Sequence, residues 1–146
     1  MVRINIINPK KLADQHLIAE YNEILMLFGH VKKFPKVHSS PKEYCLGRGH
    51  INFFKNKLLY LKKRHELLKK EMILRGFKPE KKISLSHFRK NLCNDWKPKK
   101  KDYYIIQKRL IDKIKLKPNY YKYYGKIKPI TFYKKILKRI EIKLLE

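Results

Sequence analysis

Residues 51–76 read INFFKNKLLYLKKRHELLKKEMILRG, and their spacing decides the fold. Ile51, Phe54, Leu58, Leu61, His65, Leu68 and Met72 recur every three or four positions, the period of one face of an α-helix. Lys55, Lys62, Lys63, Lys69 and Lys70 fall on the other faces, and Gly76 stands where a helix C-cap glycine belongs. The pattern predicts one unbroken helix from Ile51 to Met72. His65 lies on its apolar face and reads most simply as core.

Outward from this segment the helical period persists. Towards the N-terminus, Asn8-Pro9 supplies an N-cap followed by proline at the first helical position. Leu12, Leu17, Tyr21, Ile24, Phe28 and Val31 follow at helical spacing, with Gly29 weakening the end. Residues 32–46, containing Pro35, Ser39, Ser40 and Pro41, read as a loop, and 77–101 as a basic linker of little periodicity. A third helix is expected from about Asp102 to Lys117, stopped by Pro118. After NYYKYYGK at 119–126, Ile130, Tyr133, Ile136, Leu137, Ile140 and Leu144 outline a basic amphipathic helix. No strand is convincing. The expectation is an all-α single domain of three main helices with long loops, an N-terminal segment packed between helices and an extra C-terminal basic helix.

Charge narrows the partner. The chain has 146 residues, 38 Lys and Arg against 12 Asp and Glu, and a net charge of +26. Lysine outnumbers glutamate several-fold, which codon drift alone does not produce. A surplus of this size calls for an anionic partner, and nucleic acid is the usual one, ahead of a membrane surface or acidic protein. Cys45 and Cys93 are far apart without a CxxC or paired histidines, which argues against a disulfide framework or zinc site. Glu20 and Glu23 interrupt the first apolar run, so no secretory signal or spanning segment is expected, and the protein reads as intracellular, cytoplasmic or nucleoid-associated. No metal or cofactor is expected.

One window breaks the basic pattern. Leu12 to Val31 contains no Lys or Arg but does contain Asp14, Glu20 and Glu23. Within one helical turn Glu23 meets only Ala19, Glu20, Met26 and Leu27, so no neighbour on its own helix can neutralise it. It could be a solvated glutamate, or a carboxylate held near DNA for acid-base work or to stabilise a cationic sugar. Just upstream lies Met1-Val2-Arg3, whose methionine is readily clipped to expose the Val2 α-amine. Such an amine titrates near 7.7–8.0 against about 10.4 for lysine, so much more of it is free base at neutral pH. Arg3 beside it would lower that value further.

Val2-Arg3-Ile4-Asn5, Leu12-Ala13-Asp14-Gln15-His16-Leu17 and Ala19-Glu20-Tyr21 with Glu23 resemble the pyrimidine-dimer DNA glycosylases of the phage endonuclease V type. The resemblance continues through Leu46-Gly47, Gly49-His50, Phe53-Phe54, Lys57-Leu58, Leu61, Arg64 and Arg75-Gly76-Phe77. It resumes at Arg109-Leu110, Lys113-Ile114, Pro118 and Tyr121-Lys122-Tyr123-Tyr124-Gly125-Lys126. It implies a monomeric repair enzyme acting on double-stranded DNA that carries UV lesions. The Val2 α-amine would displace the base and form an imine, and Glu23 would assist sugar opening and β-elimination. Val2 stands where threonine is common, a change a main-chain nucleophile tolerates. Arg3, Gln15 and His16 match positions near the lesion, while Arg109 and Lys113 match phosphate contacts. Asn22 and Met26 stand where the family commonly has arginine, with Lys32, Lys33 and Arg48 as candidate substitutes for the DNA grip.

Tyr121, Lys122 and Tyr123 belong to an aromatic-basic tail that lies beside DNA in the family, or that packs on the bundle. His50 either aims at phosphate from a helix start or packs between helices. Residues 1–126 form the glycosylase-like unit; 127–146 have no counterpart in the resemblance and are expected to pack on it and add phosphate contacts. Two alternatives remain: the same fold acting on other damaged bases or abasic sites, and a non-catalytic basic nucleic-acid-binding protein.

Overall fold

In the computed structural model residues 4–37 and 40–145 are described, and the chain is all-α apart from one small hairpin. α1 (Asp14–Lys33), α2 (His50–Phe54), α3 (Leu58–Leu74), α4 (Lys100–Leu116) and α5 (Ile130–Leu145) carry the architecture. α1 and α3 form the central pair, with Leu17, Tyr21, Ile24, Leu27, Phe28 and Val31 of α1 buried with Leu58, Leu61, Leu68 and Met72 of α3. His65 is buried and stacks on Tyr21 at 4.7 Å, as expected of a core residue. Ile4, Ile6 and Ile7 are buried in the same core, which places the N-terminal segment inside the bundle.

Local expectations needed three corrections. The helix expected to run unbroken from Ile51 is split after Phe54, and Lys57 leaves helical geometry at φ −126°, ψ 42°. The freed backbone is taken up by a distant segment: Asn94 Nδ2 donates to the Asn56 carbonyl at 2.9 Å, and Lys57 bridges to Cys93. Asn8 does cap, by accepting from the Lys10 amide at 3.0 Å, but it caps a single 3₁₀ turn, Pro9–Lys11. Leu12 is then extended and α1 begins only at Asp14. Finally, Lys122–Tyr123 and Lys126–Ile127 pair antiparallel where no strand was expected. Tyr124 (φ 53°) and Gly125 (φ 77°) both take the positive φ of a two-residue type I′ turn.

The segment read as a linker also packs: Ile83, Leu85 and Phe88 lie against the core, and Leu92 is buried. α5 buries Tyr133 and Leu137, and Tyr133 joins Ala13, Ile114 and Tyr121 in a second apolar cluster behind α4. Among the described residues no helix is long and apolar enough to cross a membrane.

Candidate active-site cleft

The cleft is assembled from the N-terminal segment, α1, α4 and the tyrosine hairpin. Ile4 is pinned on both sides of its peptide. Its N–H donates to His50 Nε2 at 2.7 Å, and its carbonyl accepts from the Tyr44 hydroxyl at 2.9 Å. His50 Nδ1 lies 2.8 Å from the Cys45 carbonyl, which can only accept, so Nδ1 carries the proton and Nε2 is the acceptor. This decides between the two readings of His50: it packs between helices and holds the N-terminal chain.

Further along, the Ile7 carbonyl accepts from Arg64 Nη1, and Arg64 grips Glu20 through two bonds of 2.7 and 3.0 Å. Both charged groups are buried. Between these anchors Ile6 adopts φ 50° and the Ile7 N–H closes on the Asn5 carbonyl at 2.5 Å. A β-branched residue at positive φ is strained by about 1–3 kcal/mol, held here by the pins on either side.

On α1, His16, Ala19 and Glu23 are spaced by three and four residues and so share one stripe. Facing them on α4 are Arg109, Leu110 and Lys113. With Asn5 and Tyr121 these residues line a cleft of about 150 Å³. Glu23 is half-buried in it. His16 sits 4.6 Å from the Tyr121 ring, and its pKa is pushed down to about 4, first by burial and then by Arg109 and Lys113. It is therefore a neutral imidazole at pH 7.

The hairpin is held against this wall by α1. Gln15 donates to the Tyr120 carbonyl at 2.7 Å and accepts from the Lys122 N–H at 3.0 Å. Asp14 accepts from the amides of Tyr124 and Gly125 at 3.1 and 2.8 Å and from Arg75 at 2.9 Å. Arg75 also bonds Glu71, and lies 4.7 Å from the rings of both Tyr123 and Tyr124. Asp14 and Glu20 thus serve the framework.

The sequence-expected site residues separate accordingly. His16, Glu23, Arg109, Lys113 and Tyr121 come together in the cleft. Gln15, the Lys122 backbone and Tyr123 brace the hairpin. Asn22 is exposed in a different groove, beside Phe77 and Lys81, and Arg48 is exposed on the Gly47–Gly49 turn outside the cleft lining. Val2 and Arg3 lie outside the described residues. Asn5, Ala19 and Leu110 line the cleft without having been singled out as site residues. The spacing from His16 to Glu23 encloses Ala19, but nothing local marks Asn5. Among the described residues no group of three or more His, Cys, Asp and Glu could hold a metal ion.

A strongly basic helical protein, with a carboxylate and a neutral imidazole facing an arginine and a lysine across a narrow cleft, has the makeup of an enzyme that acts on a polyanion. Residues 1–85, more than half the chain, match the family model for pyrimidine dimer DNA glycosylases, and the chain belongs to that family. The match spans the N-terminal segment, α1, α2 and α3. α4, the hairpin and α5 lie beyond it. DNA is accordingly the substrate, and the enzyme is a glycosylase.

Proposed function

We propose that the protein removes cyclobutane pyrimidine dimers as a combined glycosylase and abasic-site lyase. The Val2 α-amine is the nucleophile and Glu23 the acid-base group. The observation that carries this reading is convergence. Asn5 lines the same cleft as Glu23, and Ile4, one residue earlier, is fixed by His50 and Tyr44. The proposed nucleophile precedes that fixed residue by two positions in the chain, a reach of about 7 Å at most.

The amine nitrogen attacks C1′ of the damaged nucleotide, and the glycosidic bond breaks with its electron pair leaving on the base. Loss of the amine proton and opening of the C1′–O4′ bond give a protonated imine, with Glu23 supplying the proton to O4′. The imine withdraws electrons from C2′. Glu23, now a carboxylate, takes the C2′ proton, and the 3′ phosphate departs as the C2′–C3′ double bond forms. Water then releases the enzyme by hydrolysing the imine. Arg109 and Lys113 bind phosphates flanking the sugar, Arg3 and Lys122 extend the cationic track, and Asn22 and Arg48, which lie outside the cleft, meet the duplex further out. Neutral His16 sits beside the opened sugar with Tyr121 as the aromatic wall, and Gln15 and Tyr123 hold the hairpin that carries that wall. Tyr133 of α5 braces that wall.

The test is nicking of UV-irradiated supercoiled plasmid against an unirradiated control. Selective conversion to the open circle is expected. Equal treatment of both plasmids would remove the dimer assignment. Cutting of duplexes with oxidised or alkylated bases, but not dimers, would favour the alternative substrate class.

A further inference from the structure

The stripe that carries the cleft does not stop at Glu23. His16, Ala19, Glu23, Met26, His30 and Lys33 continue the alternating spacing of three and four along α1, so all six share one face. That face ends at a second pocket, of about 430 Å³, walled by Phe34 and Pro35 with Asn52 of α2 opposite. Phe34 is 52% exposed, an unusual investment for a large aromatic ring. A cation lies over it, Lys33 Nζ at 5.6 Å from its centroid, and the His30 ring packs against it at 5.2 Å. Lys36 and Lys55 complete the lining, and no carboxylate contributes. Lys55 is buried to 4% exposure and donates to the Lys36 carbonyl at 2.6 Å, tying the loop after α1 to the end of α2. The pocket wall is therefore fixed.

An exposed aromatic face inside a cationic rim fits one chemistry, a planar base attached to a phosphate. At 1.5 Å per residue, His30 and Lys33 stand roughly 10 and 15 Å beyond Glu23 along the helix axis. Base pairs rise about 3.4 Å, so this is a distance of three or four pairs. We propose that this pocket holds a nucleotide of the bound DNA three or four positions from the lesion, its base turned out of the duplex to stack on Phe34 and its phosphate between Lys33 and Lys36. The proposal rests on the glycosylase reading of the Glu23 cleft. It assigns the far end of α1 a grip where the resemblance leads one to miss the arginines replaced by Asn22 and Met26.

The test compares wild type, Phe34→Ala and Phe34→Trp on duplexes with a central abasic site, binding being read by anisotropy at one salt concentration. One duplex has long arms, and the other is a dumbbell whose two-pair arms are closed at both ends by covalent non-nucleotide linkers that keep it paired. Phe34→Ala should bind the long duplex roughly 5- to 100-fold more weakly, the range for losing one base stack, and the short duplex as wild type does. Phe34→Trp should restore the affinity, and its emission, above that of Trp96, should be quenched on the long duplex. Equal binding of both duplexes by Phe34→Ala and wild type would overturn the pocket. So would an equal loss on both duplexes, or the same loss measured with inorganic polyphosphate, which has charge but no base. Failure of the wild type to be trapped by borohydride on either duplex would instead overturn the reading of the Glu23 cleft, independently of Phe34.

Discussion

Replacing His50 by alanine tests whether the N-terminal chain is held for chemistry or merely packed. The imidazole is fully buried, accepts from the Ile4 N–H at 2.7 Å and bonds the Cys45 carbonyl at 2.8 Å. Its removal orphans a buried amide, at about 1–3 kcal/mol. It also leaves a void against Tyr44 and Phe54, whose rings lie 5.6 and 5.2 Å away, bringing the expected loss to about 3–5 kcal/mol. Catalysis should suffer separately. Ile4 is two residues from the proposed nucleophile, and a misplacement near 1 Å can cost about 10²-fold in rate. Single-turnover imine formation on abasic duplex, at a temperature where the variant is folded by circular dichroism, should fall by that order while duplex affinity changes little. His50→Gln, which can offer a carbonyl to Ile4 and an amide to Cys45, should recover much of the rate. A folded His50→Ala with a wild-type single-turnover rate would refute the positioning argument.

Other expectations follow from the same geometry. Glu23→Gln should bind abasic duplex like wild type but cut it about 10²- to 10⁴-fold more slowly, measured by single-turnover gel assay; near-normal cutting would remove Glu23 from its role. His16 has its pKa lowered from 6.5 to about 4, so the unfolded chain binds more protons between those values. Its neutral burial contributes stability that is complete above about pH 6.5 and is lost as pH falls towards 4, up to about 3 kcal/mol. Urea unfolding at pH 7 and pH 5 should show His16→Gln losing part of the acid sensitivity, and an unchanged pH dependence would contradict the burial argument. Arg64→Met strands the buried Glu20 carboxylate and should cost about 3–5 kcal/mol in urea unfolding, with most of it regained in the Arg64→Met/Glu20→Leu double variant.

The apolar face of α3 was legible because period alone determines which side is buried. The break before Leu58 was not, because the groups that accept the freed backbone bonds come from residues 93–94. The hairpin was hidden for a related reason. A tyrosine at the first turn position disguises a type I′ turn, and the Asp14 carboxylate that binds both turn amides is 110 residues away. In the cleft, Glu23 was legible from the cation-free window and His16 from the resemblance, and their seven-residue spacing puts both on one stripe of α1. Asn22, one residue from Glu23, is rotated by about 100° and so enters another groove. Asn5 reaches the cleft through the strained turn at Ile6, which nothing in an Ile-Asn-Ile-Ile run announces. His50 was ambiguous because its role depends on which nitrogen meets the Ile4 amide.

The central claim is that a main-chain amine carries the covalent step. Reduction with borohydride on abasic duplex, followed by digestion and mass spectrometry, places the adduct directly. The account expects it on the Val2 nitrogen, in chains lacking Met1, and no adduct when a retained tag or acetyl group blocks that nitrogen. An adduct on a lysine, or efficient trapping by the blocked protein, would contradict it.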